Sequence, residues 1–209
     1  MNLLEYRLAS IHKNPYIGIY ACANDDICFL GRGSPEVLKQ DIQETLDVDV
    51  VVTTFFGTNL LSVFCAMNNR LAFVPENMKE KDVLSEYLEV ITVDAPYSAV
   101  GNLIAMNNKG IVVSPYLEEL SDYVKVTVAG TDIVGTNIFA NDNGFLIHRD
   151  ATDEEYEVIK KALGVDGKKT TVNFGDPHVR NGIIGNNHGM LIGANTTGPE
   201  MERIYDVFG

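Results

Sequence analysis

Few residues in this chain could carry covalent or metal chemistry, and their spacing does not assemble them. A thiol nucleophile needs a histidine base and an orienting group within reach. The cysteines, Cys22, Cys28 and Cys65, lie early, whereas His148, His178 and His188 lie in the second half, where there is no cysteine. Cys22 and Cys28 fit no common zinc spacing, and no second Cys or His pair complements them. An odd, sparse set also argues against a disulfide framework. All three are expected as small apolar residues on buried strands. Gly31-Arg32-Gly33 lacks the third glycine of a dinucleotide loop and precedes Ser34-Pro35-Glu36, so it reads as a turn before a capped helix. No GxxxxGK[ST] loop occurs. These residues predict no catalytic group, no cofactor and no metal.

Composition narrows the class. The chain has 209 residues, 45% hydrophobic and 22% charged, enough to bury a sizeable core. No apolar run reaches bilayer length. Glu5 and Arg7 interrupt the only apolar stretch near the start, so no signal peptide is expected and the location is expected to be cytoplasmic, with no membrane partner. The formal net charge of −13 predicts little affinity for free nucleic acid and suits a basic partner.

The organising signal is an internal repeat. A β-prone run, an Asn/Asp-rich turn and an apolar run recur from Ile17, Leu60, Ala99, Val134 and Arg180. The turn anchors are Asn24, Asn68, Asn107, Asn141 and Asn186, spaced by 44, 39, 34 and 45 residues. Asn and Asp tolerate the left-handed conformations of tight hairpins. Gly110, Gly144 and Gly189 stand three residues beyond their anchors, where the first two copies have Ile27 and Leu71.

Each hairpin is followed by a helical pattern: Ser34 as N-cap through about Leu46, Asn77–Leu88, Tyr116–Tyr123, Thr152–Leu163 and Thr197–Phe208. Thr152 and Glu155 read as a capping box. Pro199 suits a first helical turn. Four helices precede further β-prone runs, Val48–Phe55, Val90–Val93, Val124–Ala129 and Thr170–Phe174. The fifth does not. The alternation Leu4-Glu5-Tyr6-Arg7-Leu8 suits a half-buried strand, with Leu4, Tyr6 and Leu8 on one face, and predicts that the N-terminal strand completes the fifth unit and closes a ring. The units are strand–strand–helix–strand, at about 15–57, 58–97, 98–133, 134–178, and 179–209 with 1–10. No linker separates them, so a single domain spanning 1–209 is expected, since one unit cannot bury its apolar face alone. Radial repetition of this kind produces propeller-like folds.

The stretches SAVGNLIAMNNKGIVVSP (Ser98–Pro115) and GANTTGPEMERIYDVFG (Gly193–Gly209), supported by NNRLAFVP (Asn68–Pro75) and GTNIFANDNGFLIHR (Gly135–Arg149), resemble the archaeal and eukaryotic initiation factor 6 family. The resemblance runs from about Pro15 to Gly209. It implies the pentein fold, a five-fold pseudosymmetric α/β propeller. It further implies a non-enzymatic monomer that binds the large ribosomal subunit near the sarcin–ricin loop, mainly through a ribosomal protein, and blocks joining with the small subunit. Eukaryotic members also act in large-subunit maturation. The chain stops at Gly209 without their extended tail and so resembles an archaeal member. Penteins also include guanidine-modifying enzymes, the alternative reading. Their nucleophilic cysteine lies late, and the last repeat here has none.

Five and six residues before the anchors stand Gly18-Ile19, Ser62-Val63, Gly101-Asn102, Gly135-Thr136 and Arg180-Asn181. Small residues at equivalent points of a ring predict crowded backbones near the axis. Asn102 and Asn181 are polar there, and with Gly101 they form the candidate ribosome-binding set. The resemblance singles out Asn102, whose counterpart in the family affects release from the large subunit. The hairpin tips Asn68–Arg70, Asn107–Lys109 and Asn186–His188 are further exposed candidates.

Overall fold

A computed structural model describes residues 4–209. The described residues are mixed α/β, with five separate three-stranded sheets, consistent with five-fold pseudosymmetry; among them no single sheet closes on itself. In each sheet a central strand pairs antiparallel with a short inner strand and parallel with an outer one. In unit 1 these are Ile27–Gly31, Ala21–Ala23 and Asp49–Thr53, and in unit 2 they are Leu71–Pro75, Ala66–Met67 and Glu89–Val93. Unit 3 uses Ile111–Val113, Ile104–Met106 and Val124–Lys125, and unit 4 uses Phe145–His148, Ile138–Ala140 and Gly167–Thr170. Unit 5 takes Gly189–Gly193 and Ile183–Gly185 from the C-terminal part and Glu5–Ala9 from the N-terminus. Glu5 lies opposite Gly189 and Ala9 opposite Gly193, so the first strand completes the last unit as expected.

The central strands are buried on both faces. Each of the five hydrophobic clusters joins the sheet and helical segment of one unit to the facing sheet of the preceding unit. Leu38, Ile42 and Leu46 of the first helix pack with Leu191 of unit 5, and Ile159 and Leu163 of the fourth unit's helix pack with Val112 of unit 3. Ile204 and Phe208 pack with Leu146 of unit 4. The seam between units 5 and 1 is also bound by charge, with Arg7 Nη1 donating to Asp41 at 2.5 Å and Glu44 at 3.0 Å.

Several elements differ from the sequence reading. The first helix, Glu36–Leu46, has Pro35 at its N-cap, because the Ser34 hydroxyl is turned back onto the Gly31 carbonyl at 2.7 Å. The second shrinks to Lys81–Ser85, and Tyr116–Tyr123 forms a series of turns rather than a helix. Leu117 and Leu120 still cover the neighbouring sheet, so the apolar spacing is met without helical hydrogen bonding. The strand expected over Val124–Ala129 ends at Lys125. The one expected over Thr170–Phe174 lies earlier, at Gly167–Thr170, because its parallel register starts with Gly167 opposite Phe145. Leu8 is exposed; Leu4 and Tyr6 pack against the C-terminal helix, and Tyr6 makes an edge contact with Tyr205. Both full-length later helices, Asp153–Leu163 and Gly198–Phe208, carry capping boxes, Thr152/Glu155 and Thr197/Glu200.

The anchors are also used differently. None of the five adopts a left-handed conformation. Each side-chain oxygen instead accepts from the amides two and three residues on, as Asn24 Oδ1 does from Asp26 (2.9 Å) and Ile27 (2.8 Å). Each Nδ2 then donates to the backbone carbonyl of the next anchor: Asn24 to Asn68, Asn68 to Asn107, Asn107 to Asn141, Asn141 to Asn186, and Asn186 back to Asn24, at 2.8–3.0 Å. A second circuit lies beside it. The amide N–H groups of Asp25, Asn69, Asn108, Asp142 and Asn187 each donate to the side chain of the next member, and the last returns to Asp25.

The glycines beyond three anchors answer to space rather than to φ. A Cβ on Gly110 would lie 1.8 Å from the Ala162 carbonyl, and one on Gly189 would lie 2.1 Å from that of Thr45, both at the ends of the next unit's helix. Ile27 and Leu71 stand where the next helical segment is short or missing.

Two stability outcomes follow. Asn186→Ala removes donors to the Asn24 and Leu46 carbonyls and an acceptor for His188 and Gly189. It is expected to cost about 2–4 kcal/mol and to lower Tm by about 5–15 °C in calorimetry; an unchanged Tm would show that the circuits are incidental. Deleting residues 1–10 strips a whole strand from the fifth sheet and exposes its edge. The expected result is aggregation or a Tm lower by about 10 °C or more. A monomeric deletion variant that melts like the full chain would show that the ring closes without it.

Candidate binding surface

The two ends of the ring differ. The asparagine circuits occupy one end. At the other lie the helix N-termini and five single helical turns that lead into the inner strands: Ile17–Tyr20, Leu61–Phe64, Val100–Leu103, Val134–Asn137 and Val179–Gly182. The inner strands between the two ends line an axial cavity of about 60 Å³.

Asn102 and Asn181 both lie on these inner turns, half-buried, with backbone amides donating to Ala99 and His178 carbonyls at 3.0 Å. They belong to units 3 and 5, which are not neighbours in the ring. Gly101 is buried: a Cβ there would lie 2.0 Å from the Ser62 carbonyl, and Gly18 and Gly135 meet their preceding turns in the same way. This is the backbone crowding that the small residues imply. Arg180 occupies the equivalent point in the fifth unit. Its guanidinium crosses the axis, donating from Nη1 to the carbonyls of Ser62 (2.9 Å) and Gly101 (3.2 Å) and from Nη2 to that of Cys65 (3.2 Å). It thus ties the turn bearing Asn181 to the turn bearing Asn102.

The hairpin tips lie at the opposite end from these residues. Asn107 and Asn186 are buried there in the circuits, not exposed as expected. The recurring second Asn or Asp after every anchor was the available sign that the turns contact one another. The three cysteines are free and buried; Cys65 sits just before its strand rather than on it, and Cys22 Sγ donates to its carbonyl at 3.5 Å. Among the described residues, no three His, Cys, Asp or Glu side chains are placed to share a metal, and no helix is long and apolar enough to cross a membrane.

Two carboxylates, buried Glu200 and half-buried Glu155, fix the surface turns on this end. Glu200 accepts from the Thr171 hydroxyl (2.6 Å) and from the amides of Gly175 (2.8 Å), Phe174 (3.2 Å) and Thr197 (2.7 Å). Burial alone would raise its pKa, but these hydrogen bonds outweigh burial and hold it below the ordinary glutamate value. Glu155 does the same for Thr127 and Ala129. In both cases the capping glutamate of one helix also holds the turn that enters its unit.

Beside Asn181, at the seam of units 4 and 5, His148 and His178 meet edge to face with centroids 5.7 Å apart. His148 Nδ1 accepts from the Asp150 amide at 3.1 Å, and His178 Nδ1 shares a 2.8 Å hydrogen bond with the Oδ1 of buried Asn137.

The fold and this surface define a class: a ring of five sheet-and-helix units around a narrow axial cavity, with one end given to closure and the other presenting polar side chains. The chain belongs to the eIF-6 family, whose model matches residues 6–207. A protein of Pyrobaculum arsenaticum named translation initiation factor 6 is 32% identical over 206 residues, covering 92% of this chain and 94% of its own length. One of the same name from Haloquadratum walsbyi is 32% identical over 215 residues, with coverage of 96% and 95%. Another, from Pyrococcus horikoshii, is 30% identical over 216 residues, with coverage of 94% and 95%.

The histidine seam gives a pH prediction. Burial pushes His148 below the ordinary 6.5, with Asp150 and Asp176 opposing the shift and His178 and Arg149 adding to it. A histidine depressed on folding contributes stability that is complete above pH 6.5 and is lost as pH falls through its folded value. Tm is therefore expected to fall between pH 7 and 5, and His148→Asn to flatten that slope. An equal slope in the variant would place the titration elsewhere.

Proposed function

We propose that this chain is a translation initiation factor that binds the large ribosomal subunit and sterically blocks joining with the small one, with a possible part in large-subunit maturation. The observation that carries the reading is the full-length family match together with the shared name of its archaeal relatives. The closed circuits and the five separate sheets support a five-bladed α/β propeller of the pentein kind, a single domain over 1–209 in the five units given above. A rigid ring suits steric blocking because it can occupy a subunit face without rearranging.

The partner surface on the ribosome is a basic ribosomal protein near the sarcin–ricin loop. A chain of net charge −13 gains little from phosphates and much from lysine and arginine side chains. The factor works as a monomer in the cytoplasm. It does no chemistry: an axial cavity of about 60 Å³ compares with roughly 300–1,000 Å³ for a small-molecule site, which weighs against the guanidine-modifying alternative. Asn102 and Asn181 are the contact candidates, and Gly101 sets the position of Asn102.

The test adds purified protein to isolated large subunits before small subunits are supplied. Joined ribosomes should decrease in a sucrose gradient, and the protein should sediment with large subunits but not with small ones or with protein-free ribosomal RNA. Undiminished joining at saturating, folded protein removes the function, and RNA binding as tight as subunit binding removes the protein-surface reading. Asn102→Ser should weaken retention with Tm unchanged, whereas a lowered Tm with intact binding would make Asn102 a packing residue.

A further inference from the structure

The turn that follows the outer strand of unit 4 differs from its siblings by one extra residue and an exposed phenyl ring. In units 1 and 3 these turns, Phe55–Thr58 and Val128–Thr131, place Phe56 and Ala129 at φ 50° and 53° and Gly57 and Gly130 at 70°, and in unit 5 the turn Ile11–Asn14 places His12 and Lys13 at 50° and 67°. The unit 4 turn, Val172–Asp176, has one more residue and puts Phe174 at φ 66°, between Asn173 at 51° and Gly175 at 104°. A bulky L-residue is strained in that region, where glycine is not. Nor does the phenyl recover the cost by packing, since Phe174 is 82% exposed, the most exposed large hydrophobic among the described residues.

The turn is nonetheless fixed. Glu200, 4% exposed, accepts from the Phe174 and Gly175 amides, and Asn173 Nδ2 donates to the Pro15 carbonyl at 3.0 Å. Tyr16, itself partly exposed, lies beside the Asp176 carboxylate. Asp176 accepts from the His178 amide at 2.8 Å, and the His178 carbonyl accepts from that of Asn181. The turn bearing Phe174, with Tyr16 held beside it, therefore runs into the end of the ring that carries Asn181 and Asn102.

We infer that Phe174 is an anchor residue for the partner, inserting its ring into an apolar socket on a basic protein surface of the large ribosomal subunit. This rests on the function proposed above. A strained backbone and an exposed phenyl gain nothing for the isolated chain. Held rigidly, they present a large apolar group with little ordering left to lose on binding, as buried aromatic hot spots do. The net charge of −13 selects a basic surface around the socket over an acidic one or RNA.

The experiment compares the full-length chain with Phe174→Asn, since Asn tolerates the left-handed region, and with Phe174→Tyr, which keeps the ring. Binding to purified large subunits is measured by sedimentation, and stability by thermal melting. Phe174→Asn is expected to lose affinity by a factor on the order of ten or more, with Tm unchanged or higher, and Phe174→Tyr to retain most of it. Wild-type binding with equal binding by Phe174→Asn overturns the inference and leaves the proposed function standing. Failure of the wild type itself to bind overturns both. A concentration-dependent dimer that Phe174→Asn dissolves, with subunit binding unaltered, would assign the patch to a second copy of the chain and also overturn the inference.

Discussion

Closure is the constraint on which the molecule depends. Five small sheets meet at the axis through their inner strands, yet the sheets do not hydrogen-bond into one another. Backbone groups buried where the hairpins converge must find partners there. The anchor asparagines supply them, because a carboxamide both accepts and donates: the oxygen caps its own turn while the nitrogen satisfies the neighbour's carbonyl. Aspartate could do only the first. The second circuit tolerates either residue at most points because it takes an oxygen from every member. An odd ring cannot alternate strictly, however. Asp25 and Asp142 accept from the amides of Asn69, Asn187 and Asn108, so Asn69 and Asn108 stand side by side as donors, joined only through a backbone amide.

Packing repeats the same logic at larger radius. No unit's core is closed within that unit, since each helical segment packs both on its own sheet and on the sheet of the preceding unit. Removing one unit would strip apolar cover from one neighbour and a sheet from the other. The arrangement suits cooperative folding of the ring as a whole and makes the seam between units 5 and 1 the point where chain ends replace chain continuity. There the parallel pairing of Glu5–Ala9 with Gly189–Gly193, the Arg7 ion pairs and the Asn186 carboxamide act together.

The two ends of the ring carry different tasks for a physical reason. At the hairpin end the side chains are consumed by closure and have few groups left to offer. At the other end the inner turns close by backbone contact, through glycines and one cross-axis arginine, so the residues beside them remain available. Asn102 and Asn181 stand there next to surface turns held by Glu155 and Glu200, which gives a partner rigid polar and aromatic groups rather than mobile loops.

Legible in the residues alone were the five-fold count, the strand–strand–helix–strand order in most units and the completion of the last unit by the first strand. Each depends on local periodicity or on turn chemistry, which neighbours in the chain can specify. Repeat position also put Asn102 and Asn181 at equivalent points of the ring. Tertiary structure alone decided the rest. Tyr116–Tyr123 has helical apolar spacing but packs as turns, because covering the unit 2 sheet needs Leu117 and Leu120 and not a helical backbone. The strand at Gly167–Thr170 is fixed by pairing with Phe145–His148, which its own sequence, Gly-Lys-Lys-Thr, does not announce. The anchor asparagines read as turn formers when each hairpin is taken alone. Their closing hydrogen bonds join residues 34–162 positions apart, a relation that exists only once all five units stand in place.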